Sequence, residues 1–260
     1  MGSALRLQLA AASALLLGAR ALPFWSHERL NTYVHCANAS GPWSAAALAA
    51  IGRQQPRFVV QERCTGRFAD PPNASTEAKM LAAAAQIAAV NSSIEVYMYN
   101  PVFPVVDWYS WGSAADAAAD AGTQLELAWP NGSLFHWPGC GPVPNDCGGS
   151  RVIDFRTEAG RAAWVAGMVK TVKAGKLRGV FIDGFRGGVG GASAFSALNQ
   201  AEDAKWGEGL NASMNELRTQ LGPEAAIIGN YGNAKVGAIN GRMIERGGSG
   251  DGAIKALQGY

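Results

Sequence analysis

The sequence predicts an α/β protein built from repeated strand–helix units around a parallel sheet. Short β-branched or aromatic apolar runs alternate with longer Ala-rich stretches of helical character, which is the pattern of repeated β-α units. The chain has 260 residues, of which 48% are hydrophobic. That content is enough to form one substantial core, so we expect a single domain over residues 22–260.

The elements follow in a regular order, with one interruption. Residues 101–150 are rich in Trp, Pro, Gly and Asn, and we interpret them as a long elaborated loop with a hairpin at 125–135 that turns on Asn131-Gly132. The predicted strands are 32–36, 58–61, 94–99, 151–155, 179–182, 225–229 and 241–245, and the predicted helices are 44–53, 75–90, 157–174 and 201–221.

This order predicts a (β/α)8 barrel of the TIM type. Eight strands would need one or two further β-α units after Ile244, and only a Gly-rich turn and a short helix are expected there. The expected barrel is therefore incomplete at its C-terminus.

Residues 1–21 have the features of a secretory signal peptide. Arg6 precedes an apolar run, and Ala19-Arg20-Ala21 supplies small residues around a cleavage site. An uncleaved apolar anchor is the alternative. We expect a secreted protein that has no membrane segment after removal of the signal, since no later stretch has about 20 consecutive apolar residues.

In a secreted protein, cysteines can form disulfides and Asn-x-Ser triplets can be glycosylated. Four cysteines without a CxxC pair favour disulfides over a metal site, and we expect the pairs Cys36–Cys64 and Cys140–Cys147. Five triplets predict N-glycosylation, although this composition also generates such triplets by chance. They begin at Asn38, Asn73, Asn91, Asn131 and Asn211.

Several functional classes find little support. The net charge is +2 and the basic residues are scattered, which argues against a nucleic-acid partner. His35 and His136 do not indicate a metal site. The Gly-rich run at 184–191 lacks a phosphate-binding motif, and no GxSxG motif occurs. We expect no cofactor.

Two carboxylates are the candidate catalytic residues. In parallel α/β folds, functional groups lie at the carboxyl ends of strands. Asp183 ends the run GVFID, and Glu245 ends the run GRMIE. Glycoside hydrolysis needs one protonated and one ionised carboxyl group, and these two residues could divide those roles in either order.

Each carboxylate also has a structural interpretation. Asp183 could cap the turn that follows it, and Glu245 could form an ion pair with Arg246. Glu62 and Asp154, also at predicted strand ends, are candidate substrate-binding residues, but Glu62 could pair with Arg63. Asp154 could likewise pair with Arg156, a further candidate.

Sugar rings stack on aromatic side chains, and aromatic residues cluster at the third strand and in its loop. Ordinary packing is the alternative for each of them. Asn100 and Asn230, each beside a tyrosine at a predicted strand end, could bind sugar hydroxyl groups. The remaining candidate substrate-binding residues are Tyr97, Tyr99, Trp129 and Tyr231.

Two motifs resemble a known family. Residues 152–161 (VIDFRTEAGR) and 179–184 (GVFIDG) resemble TIM-barrel glycoside hydrolases, which include polygalactosaminidase-like enzymes and a hypothetical glycosyl hydrolase family. Residues 32–65 resemble the opening of that hypothetical family. The resemblance implies a barrel fold, a carbohydrate substrate, and catalytic or substrate-binding roles for Asp183 and Glu245.

The sequence therefore predicts a secreted glycoside hydrolase that cleaves O-glycosidic bonds of an oligo- or polysaccharide. The alternative is a non-catalytic carbohydrate-binding protein on the same scaffold, which would use the aromatic residues without a competent carboxylate pair.

Overall fold

The computed structural model describes part of the chain: residues 33–36, 38, 41–62, 65, 75–102, 109–110, 118, 122–128, 131–134, 152–175, 177–184, 198–230 and 238–243, with the backbone alone for 33–36 and 241–243. These residues form one parallel α/β sheet of six strands in sequential order. The strands are β1 (Tyr33–Cys36), β2 (Phe58–Gln61), β3 (Glu95–Pro101), β4 (Leu177–Asp183), β5 (Ala226–Asn230) and β6 (Gly241–Met243).

Within the described residues, four helices connect the strands, and each begins after a residue whose side chain caps it. The oxygen of Ser44, Ser75, Thr157 or Asn199 accepts a hydrogen bond from the backbone N–H three residues later, which satisfies one of the free donors of the first turn. The predicted helices are confirmed to within one residue at each end. They are α1 (Ala45–Gln54), α2 (Thr76–Val90), α3 (Glu158–Ala174) and α4 (Gln200–Leu221).

Sequential order fixes where the helices lie. Parallel neighbours need a crossover, and such crossovers are nearly always right-handed. Because α1 to α4 each connect adjacent strands, all four lie on the same face of the sheet. The carboxyl ends of all strands meet at one edge, where the amino-terminal ends of α2, α3 and α4 also lie.

The segment before α3 packs between α3 and α4. The ring of Phe155 makes edge-to-face contacts with Trp164 of α3, at 5.1 Å, and with Trp206 of α4, at 5.0 Å between ring centroids. Trp206 Nε1 donates to Ile153 O at 2.9 Å. All three rings are fully buried, so this segment joins the two longest helices to each other.

One predicted strand is wrong. Residues 151–155 were expected to form a parallel strand, but Ile153 makes a single antiparallel bridge with Glu126, and Leu127 N donates to Val152 O at 2.7 Å. The short apolar run is buried by the helices rather than by pairing within the sheet.

The predicted hairpin is confirmed. Ala128 and Leu134 form an antiparallel bridge, and Gly132 between them has a φ of +84°, a conformation that L side chains rarely adopt. Asn131-Gly132 therefore provides the turn that the sequence indicated.

The eight-stranded barrel is not confirmed. Within the described residues the sheet has six strands, and β1 and β6 are its edges. Among these residues, the helices are all too short or too polar to cross a membrane.

Gly209→Ala should destabilise the fold, because a Cβ at this position would lie 1.9 Å from Phe155 O. Relief requires movement of the backbone, so we expect a loss of about 1–3 kcal/mol in the free energy of unfolding, measured by urea denaturation. Gly52→Ala in α1 is the control, since its Cβ would meet only Val90 Cγ1, at 2.9 Å, on a side chain that is 42% exposed. Equal stability of the two variants would contradict the close approach at Gly209.

Candidate active site

Three polar side chains from neighbouring strands meet at the carboxyl edge of the sheet. Tyr99 is near the end of β3, Asp183 ends β4 and Asn230 ends β5. Tyr99 is in register with Phe181, and Phe181 is in register with Ile228. Because side chains alternate between the faces of a strand, Tyr99, Asp183 and Asn230 share one face.

Hydrogen bonds join the three residues through the carboxylate. The Tyr99 hydroxyl donates to Asp183 Oδ2, Asn230 Nδ2 donates to Asp183 Oδ1 at 2.7 Å, and the backbone N–H of Gly184 donates to the same oxygen at 2.8 Å. Tyr99 and Asn230 are 2% and 1% exposed, whereas Asp183 is partly exposed. The buried donors thus hold a carboxylate that solvent can reach.

The turn-capping interpretation of Asp183 is correct only in part. Its bond to the N–H of Gly184 is a local contact of the kind that caps a turn. The bonds from Tyr99 and Asn230 come from two other strands, however, and a turn does not require them. We name Tyr99, Asp183 and Asn230 the Asp183 cluster.

The tyrosine of the cluster is itself held in place. Its ring stacks on Phe181, with centroids 5.9 Å apart and planes 20° apart, and its carbonyl oxygen accepts a hydrogen bond from the Tyr109 hydroxyl at 2.7 Å. The neighbouring Ser110 donates through its N–H and its hydroxyl to the buried carboxylate of Glu77, at 2.7–3.0 Å. This anchor ties the chain after β3 to the first turn of α2.

The supporting role of Glu77 was not predicted. An acid in the first turn of a helix favours the helix dipole, but nothing in the spacing of residues 77 and 110 signals that they meet. Glu77 is only 5% exposed, and this burial results from tertiary contacts rather than from the local sequence.

Three other predicted residues occupy different positions. Tyr97 shares a face with Tyr99, but its hydroxyl donates to Glu95 Oε2 at 2.5 Å, toward the amino-terminal end of β3, and burial raises the pKa of this phenol. Asn100 is fully buried, and alternation places it on the opposite face. Glu62 directly follows β2 and continues the face of Val60, which is in register with Tyr97. Tyr97 and Asn100 are therefore not part of the proposed site.

Asp154 and Arg156 form an ion pair rather than an open binding surface. Arg156 donates through Nε to Asp154 Oδ1 at 2.8 Å and through Nη2 to Oδ2 at 2.7 Å. Arg156 Nη1 also donates to Glu202 Oε2 at 2.6 Å. Hydrogen bonding to Asp154 is the main cause of a raised pKa at Arg156. The pair joins the amino-terminal ends of α3 and α4.

Glu202 at the start of α4 completes this network. Lys205 Nζ donates to its Oε1 at 3.0 Å, and the hydrogen bonds from Lys205 and Arg156 lower the pKa of Glu202. We interpret these contacts as structural, because each charged group has its partner within the network.

The other predicted site residues lie outside the described residues or lack described side chains. The predictions for these positions stay predictions: the catalytic residue Glu245, the substrate-binding residues Trp129 and Tyr231, and the cysteines Cys36, Cys64, Cys140 and Cys147.

Within the described part of the chain, no group of three or more His, Cys, Asp or Glu side chains is placed to hold a metal ion.

Solved structures that are similar to this chain include three sugar-acting enzymes. The galactosidase domain of an α-galactosidase–sucrose kinase is 10% identical, with a TM-score of 0.49, over 78% of this chain and 27% of that one. A cycloalternan-degrading enzyme from Trueperella pyogenes is 13% identical, with a TM-score of 0.49, over 80% and 33%. A maltogenic α-amylase from Thermotoga neapolitana is 12% identical, with a TM-score of 0.46, over 76% and 45%.

The chain thus spans less than half of the length of each of these structures. No family model matches the sequence, and no curated protein matches it. The resemblance to polygalactosaminidase-like enzymes stays a prediction, and a functional assignment depends on the geometry of the chain's own residues.

Glu202→Gln should lower stability at neutral pH and have less effect in acid. A lowered folded-state pKa means that the ionised form is favoured in the fold, so its contribution is complete above the unfolded pKa of about 4.3 and is lost as the pH falls through the folded value. Thermal unfolding from pH 3 to 7 measures this. We expect the melting temperatures of parent and variant to converge toward pH 3 and to differ by a few degrees above pH 5.

The matched control is Glu208→Gln, which removes a carboxylate from an exposed position on the same helix. A Glu202→Gln difference that stays constant over the whole pH range would contradict the ion-pair interpretation.

Proposed function

We propose that this protein is a glycoside hydrolase in which Asp183 and Glu245 are the catalytic carboxyl groups. The observation that carries the proposal is the Asp183 cluster, a partly exposed carboxylate held by donors from two neighbouring strands. It lies at the carboxyl edge of a parallel sheet, where the active sites of such folds occur.

The hydrogen bonds favour one role for Asp183. An ionised carboxylate only accepts hydrogen bonds, whereas a protonated one must also donate. Three groups donate hydrogen bonds to Asp183: the Tyr99 hydroxyl and the Asn230 amide of the cluster, and the backbone N–H of Gly184. The amide nitrogen of Asn230 and the N–H of Gly184 can act only as donors. We therefore assign Asp183 the ionised role, in which it attacks the sugar carbon or activates water.

The other role falls to Glu245 in this proposal. Gly241 and Met243 of β6 are in register with Ile228 and Asn230 of β5. Glu245 lies outside the described residues, so its role is proposed from its place in the run GRMIE of the sequence. Its protonated carboxyl group would donate to the leaving oxygen.

The substrate follows from the same proposal. An oligo- or polysaccharide would stack on aromatic side chains near the carboxyl edge, for which Trp129 and Tyr231 are the proposed candidates. Glu62, on the same face as Tyr99, is a proposed hydroxyl acceptor. Secretion after cleavage near Ala21, with the disulfides Cys36–Cys64 and Cys140–Cys147, belongs to this proposal.

Asp183→Asn and Glu245→Gln should each lower kcat/KM by about two to four orders of magnitude, the range typical for removal of a positioned acid or base. Release of reducing sugar from uronic, amino and neutral polysaccharides measures this. Glu208→Gln on the exposed face of α4 controls for the loss of a charge. A parent protein that binds a polysaccharide without cleaving any of the panel would contradict the hydrolase proposal and favour the carbohydrate-binding alternative.

Tyr99→Phe should lower kcat by about 10- to 100-fold with little change in KM, because a hydrogen bond to a charged group contributes roughly 1.5–3 kcal/mol. Tyr99 is a positioning residue here, so the pH profile of kcat should shift as well. Tyr97→Phe is the matched control, since it removes a buried hydroxyl from the same strand that bonds to Glu95. Equal effects of the two variants would show that Tyr99 acts through stability alone.

A further inference from the structure

Two of the Asn-x-Ser triplets share a local geometry that a third one lacks. At Asn91, the side-chain oxygen accepts hydrogen bonds from the Ser93 N–H at 2.9 Å and from the Ser93 hydroxyl at 2.7 Å. At Asn131, the corresponding bonds from Ser133 are 3.0 and 2.7 Å. In each case the amide oxygen faces the serine, so the amide nitrogen lies on the other side of the group.

Both triplets are accessible. Asn91 follows the last residue of α2 and is half-buried, and the two serines after it are exposed. Asn131 and the two residues after it, in the hairpin turn, are all exposed. A large, hydrated glycan can be accommodated only where the folded surface leaves room for it, as loops and turns do.

The triplet at Asn211 is different. It lies within α4, where residues two positions apart do not face each other. Ser213 is fully buried, and its hydroxyl donates to Gly209 O at 3.0 Å. The serine of this triplet is therefore inside the fold, in contrast to the exposed serines of the other two triplets.

We propose that Asn91 and Asn131 carry N-linked glycans and that Asn211 does not; the inference rests on the proposed entry into the secretory pathway and not on the proposed hydrolase activity. In the transfer, a bond forms between Asn Nδ2 and C1 of a lipid-pyrophosphate-linked oligosaccharide. The bond between C1 and the phosphate oxygen breaks, the lipid pyrophosphate leaves, and one amide proton passes to a base of the transferase.

The site at Asn91 lies at the opposite edge of the sheet from the Asp183 cluster. Asn91 lies between α2 and the start of β3, at the amino-terminal edge of the sheet, whereas Asp183 is at the carboxyl edge. A glycan at Asn91 leaves the carboxyl edge open, so Asn91→Gln should not change any activity of the protein.

The test is site-resolved mass spectrometry of the full chain produced in a eukaryotic secretory cell line. Enzymatic removal of N-glycans in H₂¹⁸O converts each occupied asparagine to a labelled aspartate. We expect the label at positions 91 and 131 and none at 211, and the loss of one glycan in each of Asn91→Gln and Asn131→Gln. Asn211→Gln is the matched control and should leave the glycan mass unchanged.

A second set of variants tests the same sites without altering the asparagines. Ser93→Ala and Ser133→Ala should abolish modification at the preceding site, and Ser93→Thr should preserve it. Label at 211, unmodified asparagines at 91 and 131 in the secreted protein, or failure of the chain to enter the secretory pathway would each overturn the proposal. None of these results bears on the hydrolase activity, which the carboxylate variants test separately.

Discussion

The parallel register of β3, β4 and β5 is the constraint on which the candidate site depends. Asp183 accepts hydrogen bonds from Tyr99 and Asn230 only because the three strands are aligned so that these residues share a face at one edge. A shift of one residue between two strands would move a donor to the opposite face. The fold that keeps this register therefore also keeps the carboxylate in its position.

The helix pair α3–α4 supports that register from outside the site. Phe155 lies between Trp164 and Trp206, and Gly209 allows the backbone at Phe155 to approach α4 closely. The Asp154–Arg156 pair and Glu202 then join the starts of the two helices. Since α3 leads into β4 and α4 follows it, these contacts position the strand that ends in Asp183.

Most of the fold could be predicted because its signals are local. A Ser, Thr or Asn that can cap a helix precedes each helical stretch, and short apolar runs mark the strands. Residues 151–155 were mistaken for a strand since a buried apolar run looks the same whether it pairs within a sheet or packs between helices. The packing of Phe155 between one tryptophan of α3 and one of α4 decides between the two structures, and the local sequence pattern does not predict that packing.

Part of the candidate site could also be predicted from local sequence signals. The position of Asp183 at the end of an apolar run indicated a functional carboxylate, and a strand end likewise indicated Asn230. Tyr99 was indicated only as an aromatic residue that could stack on a sugar ring. Tyr97 and Tyr99 could not be told apart, because period-two alternation gives the face of a strand but not how near a hydroxyl lies to the carboxyl edge. The anchoring of Ser110 by Glu77 depends on contacts between distant segments.

The central claim is that Asp183 acts as an ionised carboxylate on the substrate. Chemical rescue tests it most directly: in Asp183→Gly, added azide can take the place of the missing carboxylate. The account predicts that Asp183→Gly loses the cleavage of an activated aryl glycoside, and that azide restores it with formation of a glycosyl azide. Cleavage by Asp183→Gly at the parent rate, or a lost activity that azide does not restore, would contradict it.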